Sequence, residues 1–98
     1  MTSEEQIKIE AAAFRQLLKH LDSRKDVQNI ELMNLAGFCR NCLSKWMVEE
    51  AKLSDLSLDY EQAREHVYGM PYEQWKEKHQ QPASEEQMAV FHALQAKK

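Results

Sequence analysis

Only one residue pattern in this 98-residue chain could carry covalent or metal chemistry: Cys39 and Cys42, spaced as Cys-x-x-Cys. Three uses compete for it. The plainest is packing, because the pair falls in helical register with Leu43, Trp46 and Met47, and unbonded cysteine is among the most buried residue types. The second is a metal site. A Cys-x-x-Cys pair can grip one face of a zinc tetrahedron, but the remaining ligands would have to come from His20, His66, His79 or His92, which share no tight spacing. The third is thiol redox chemistry. A cysteine at a helix start gains thiolate character from the exposed amides, Arg40 beside it pushes the same way, and the partner one turn later can resolve a mixed disulfide. Helical thiol-peroxidase partners carry Cys-x-x-Cys-x-x-x-His, whereas Trp46 holds the histidine position here, so that proton shuttle is missing.

A second cluster, Tyr68-Gly69-Met70-Pro71-Tyr72 with Trp75, has two uses. Tyrosine and tryptophan dominate binding hot spots, so the cluster could floor an aromatic pocket. It also reads as a tight corner between helices, with a glycine cap, a proline start and aromatics packed on the core. Each histidine, taken alone, reads as a half-exposed helix residue. No Ser-His-Asp order, phosphate loop or carboxylate pair forms without forcing distant residues together.

The elements that must position these residues are helices. No stretch alternates apolar and polar residues over strand length with Val, Ile and Thr enrichment. The first helix is predicted over Glu4–Leu21, capped by Ser3 with Gln6 three residues on, its stripe formed by Ile7, Ala11, Phe14, Leu18 and Leu21. Asp26 is expected to cap the second, whose buried stripe is Val27, Ile30 and Met33 and whose end is Gly37 as a left-handed residue. Alternatively Gly37 lies within one long helix. The third, Phe38–Leu53, is expected to bury Cys39, Cys42, Leu43, Trp46 and Met47 and to turn Arg40, Asn41, Ser44, Lys45 and Glu49 elsewhere. Residues 54–59 connect to a fourth helix with Tyr60, Ala63 and Val67 inward. Pro71 opens a fifth, with Tyr72, Trp75 and His79 on one face, and Pro82 stops it. Ser84 and Gln87 open a last helix bearing Met88, Phe91 and Leu94. The fold class is therefore all-α, a compact bundle of four to six short helices in one domain over residues 1–98, with the Phe38–Leu53 helix at its centre.

Composition narrows the partners. Hydrophobic residues make up 43% and charged residues 30%, a globular balance rather than that of a disordered chain. A net charge of −3, with Lys and Arg interleaved among Glu and Gln, offers no basic field for nucleic acid or an anionic membrane. No run approaches the roughly twenty apolar residues that span a bilayer. The acidic start Met1-Thr2-Ser3-Glu4-Glu5 is unlike a secretory signal, and two cysteines are few for a disulfide scaffold. The expected location is cytoplasmic, with the thiols reduced or bound to metal rather than joined as a structural bridge. A small helical domain with leftover apolar surface is expected to pair, so a homodimer is the assembly anticipated.

The segment Asp26–Ile30 through Leu35-Ala36-Gly37-Phe38-Cys39-Arg40-Asn41-Cys42-Leu43-Ser44-Lys45-Trp46 resembles the central block of a short, mainly bacterial family catalogued as domain of unknown function 1244. Tyr68–Tyr72 with Trp75 and Lys76 is similar to its second block. The resemblance implies a stand-alone helical domain and brings no established activity with it. It concentrates interest on Gly37–Trp46 and Tyr68–Trp75, and it implies no fixed histidine at the places of His66 and His79.

The leading expectation is a non-enzymatic domain that binds a protein or small-molecule partner, with no cofactor, through an exposed patch drawn from Arg40, Asn41, Trp46, Tyr68, Tyr72 and Trp75. The alternative is a thiol or zinc protein acting through Cys39 and Cys42.

Overall fold

Helix boundaries are set by side chains that satisfy the end amides and by glycines that turn the backbone left-handed. The structure is a computed structural model that describes residues 1–97, and it contains six helices and no strand among them: α1 Ser3–Ser23, α2 Asn29–Ala36, α3 Arg40–Leu53, α4 Tyr60–Tyr68, α5 Tyr72–His79 and α6 Glu85–Ala96. The all-α class expected from the pattern is what the chain adopts.

Three of the helix starts are reciprocal capping boxes: Thr2 with Glu5, Asp59 with Gln62, and Ser84 with Gln87. The first is one residue ahead of the expected Ser3–Gln6 pair, because both pairs fit the pattern and Thr2–Glu5 wins. Asp26, expected to cap α2, instead lies exposed and makes a two-point contact with Arg24 at 3.0 Å. The cap is Gln28, whose amide donates to Glu31 Oε1 at 2.8 Å. Gly37 and Gly69 end α2 and α4 with φ of 78° and 73°, so Gly37 breaks the chain rather than continuing a long helix.

Helix α3 packs on α4, α4 on α5, α1 on α4, and α2 on α6. The core gathers Leu18 and Leu21 of α1, Leu43 of α3, Val67 and Tyr68 of α4, and Trp75 of α5. Of the expected α1 stripe, only the part from Ala11 onward finds cover. Every residue from Met1 to Glu10 is exposed, and Ile7 retains 64% of its surface. The described chain has a 47 Å long axis and a radius of gyration of 15.2 Å, against about 13 Å for a compact chain of this length.

The buried face of α3 is rotated from the expected one. Arg40, Leu43 and Ser44 are buried, Met47 is half-buried, and Trp46 is exposed. Cys39 is buried as the cap residue ahead of the helix. Ser44 tolerates burial because its hydroxyl donates to the Arg40 carbonyl at 3.1 Å. Arg40 tolerates it for a reason that lies outside its own helix.

Candidate functional site

Arg40 is 2% exposed, and among the described residues no carboxylate pairs with it. Its charge is met by oxygens. Nη1 donates to Val27 O at 2.8 Å and to Asn29 Oδ1 at 3.1 Å. Nη2 donates to Arg24 O at 2.9 Å and to Leu21 O at 3.3 Å. Leu21 and Arg24 close the carbonyl end of α1, the negative end of that helix's dipole; their oxygens already accept the Arg24 and Val27 amides, and the cation is their second donor. Its guanidinium carbon also lies 5.0 Å from the Trp75 ring centre. Burial pulls this group below its ordinary pKa, with Tyr68, Cys39, Asp26 and Asp22 working the other way. Arginine stays charged regardless.

A guanidinium has donors and no acceptor, so it fixes the sense of every hydrogen bond downstream. Asn29 must offer Arg40 its Oδ1, which leaves Asn29 Nδ2 to donate to Tyr68 OH at 3.0 Å. Tyr68 OH must then donate onward, to Asn41 Oδ1 at 2.7 Å. Asn41 is left with its amide N–H groups pointing away from the chain of bonds, without a protein partner among the described residues. Burial holds the Tyr68 phenol above its usual pKa against the opposing effect of the Asn29 hydrogen bond, so it remains a proton donor through the neutral range.

Asn41 borders a groove of about 370 Å³ between the start of α2, the start of α3, α5 and the head of α6. Ile30, Tyr72, Met88 and Phe91 give it apolar walls, and Asn29 and Asn41 give it a polar end. None of its lining side chains is a carboxylate, amine, imidazole or thiol. Gln28 holds the rim: its Nε2 donates to His79 O at 2.9 Å, and its Oε1 accepts from the Gln81 amide at 2.9 Å. Tyr72 is propped from behind by the Arg64 guanidinium, 3.9 Å from its ring centre. A larger hollow of about 550 Å³ outside α5 is walled by exposed Glu73, Lys76, Glu77, Gln80, Gln81 and Pro82, with no buried polar group aimed into it.

The expected exposed patch is therefore corrected at three of its residues. Arg40, Tyr68 and Trp75 are interior, at 2%, 2% and 1% exposure, because each is held from several elements at once. Tyr68 and Trp75 meet edge to face, their centres 5.0 Å apart, which makes the Gly69–Pro71 corner a packing device. Trp46 is exposed but stands beside Phe38, outside the groove. Asn41 and Tyr72 alone of that set line it. Sequence reasoning missed Asn29 and Gln28, whose types signal only a helix start; nothing local says that one reads Arg40 and the other clamps a connector fifty residues on.

Cys39 and Cys42 are unbonded, with sulfurs 4.0 Å apart. Burial raises the Cys39 thiol above its ordinary pKa, outweighing the Cys42 and Asn41 amides that lower it. Arg40 turns its guanidinium to α1 and the α1–α2 connection, where its bonds are spent. Cys42 Sγ also touches Met33 Sδ at 3.9 Å. Among the described residues, no three His, Cys, Asp or Glu side chains come together as a metal cluster, so none of the four histidines joins the thiols as a zinc ligand would. No helix among those residues is long and apolar enough to cross a membrane.

No curated protein matches the chain. A family model described as "Protein of unknown function (DUF1244)" matches residues 27–93, a span that holds Arg40, its hydrogen-bond chain, the groove and the thiol pair. The chain belongs to the DUF1244 family.

Proposed function

We propose that this domain is a non-enzymatic binding module whose groove takes a partner segment or small ligand carrying an apolar group next to a hydrogen-bond acceptor. The observation that carries this reading is the directed chain Arg40 to Asn29 to Tyr68 to Asn41, which ends in free amide donors at an apolar groove. A fixed donor beside an apolar wall is the arrangement by which pockets orient ligands. A groove lining without carboxylate, amine, imidazole or thiol supports binding over acid–base or nucleophilic chemistry there.

N-acetyl-leucine and N-acetyl-phenylalanine serve as probes, each joining an apolar side chain to acceptor oxygens. Titrated into uniformly ¹⁵N-labelled protein, they are expected to shift the Asn41 side-chain amide together with the Tyr72 and Met88 backbone amides. Asn41→Ala should abolish those shifts while leaving the rest of the spectrum in place. Shifts confined to the hollow outside α5, or absent altogether, would reject the groove as the site.

A further inference from the structure

Gly37 turns the chain back on itself, and in doing so it sets the start of α3 against α2 so that three sulfurs meet. Cys42 Sγ is 4.0 Å from Cys39 Sγ and 3.9 Å from Met33 Sδ. Cys39 is buried, and Cys42 and Met33 are half-buried, so the group is shielded yet reachable. We propose that Cys39, Cys42 and Met33 form a binding site for monovalent copper.

The donor set selects the metal. Two thiolates and a thioether are soft ligands, which favour Cu(I), whereas zinc in proteins takes four ligands from Cys, His and carboxylates. Among the described residues no such further donor stands with the pair. Spacing agrees with a three-coordinate ion. Metal–sulfur bonds of about 2.3 Å, the length known for zinc thiolates, place sulfurs about 4.0 Å apart in a trigonal plane. Cys42 already stands at that separation from each of its two neighbours, so two sides of the triangle are set and binding has only to close the third, between Cys39 and Met33. Each thiol gives up its proton to solvent as the ion enters, leaving a bis-thiolate complex of charge −1 at a helix start, where the exposed amides favour negative charge. This site is separate from the groove: its donors are three sulfurs, none of which lines it.

The test is an anaerobic titration of the reduced full-length chain against the Cu(I)–bicinchoninate complex, whose colour fades as copper is withdrawn. The parent protein should withdraw one equivalent. Met33→Leu, which keeps volume and removes the sulfur, should weaken binding about tenfold or more, since even partners outside the first ring of ligands are worth 10–100-fold. Cys42→Ser, which removes the sulfur touching both others, should abolish it. Circular dichroism of each variant, with near-parent helix content required, separates loss of a ligand from loss of fold. No withdrawal by the folded parent protein would overturn the proposal. So would a folded Met33→Leu protein binding as tightly as the parent, or a competition in which Zn(II) displaces the copper.

Discussion

The junction around Arg40 and the free half of α1 both lie at helix ends, yet they stand in opposite relations to the core. In the first, a charged side chain is interior because four oxygens from α1, the following turn and α2 converge on it. In the second, Ile7 and Ile9 are apolar and lie in solvent, 64% and 57% exposed, because no element packs beyond Ala11. Hydropathy alone would exchange the two. What decides burial here is whether neighbouring elements supply partners: three main-chain carbonyls and one side-chain amide oxygen, aimed from three directions, offset the cost of taking one cation out of water.

This contrast can be broken by substitution. Trp75→Ala should cost the most, about 3–5 kcal/mol in urea unfolding, because it empties a fully covered site and removes the ring against Arg40. Arg40→Met keeps length and removes every donor; it should cost about 3 kcal/mol, since Val27 O and Asn29 Oδ1 lose their donor and a buried acceptor left alone forfeits roughly 1–3 kcal/mol before relaxation. An Arg40→Met protein as stable as the parent would mean those carbonyls find other donors at no cost.

Tyr68→Phe sharpens the same comparison and should cost about 1 kcal/mol, the worth of a typical buried hydrogen bond. It also has a pH signature. The folded-state pKa of Tyr68 is raised, so its contribution is fully present below the unfolded value of about 10 and is lost as pH rises beyond it. Unfolding measured from pH 8 to 11 should show parent stability falling above pH 10 more steeply than that of the Phe variant. Parallel curves would place the phenol in water. Ile7→Gln, by contrast, should change stability by no more than about 0.5 kcal/mol. A larger loss would show that the free half of α1 is covered in solution, as a pairing of two copies would cover it.

Much of the fold was legible because caps and breakers act locally. Ser84 with Gln87, Gly37, Gly69 and Pro82 each needs only its own neighbours to act, and each stands where the pattern put it. The α3 face was not legible. Cys39, Cys42, Leu43, Trp46 and Met47 make a sound apolar stripe on paper, but the face that turns inward is led by Arg40, whose partners lie 11 to 19 residues upstream. The groove was half legible. Asn41 and Tyr72 were drawn from blocks singled out in the sequence, whereas Asn29 matters only through a guanidinium and a phenol brought to it by other helices.

The interior cation can be observed directly in the ¹⁵N-detected guanidinium spectrum of the folded protein. Arg40 should give separate, slowly exchanging Nη–H signals displaced by the Trp75 ring, unlike the averaged signal of exposed Arg15. A single averaged, fast-exchanging resonance for Arg40 would put its side chain in solvent and contradict the arrangement from which the groove's donors follow.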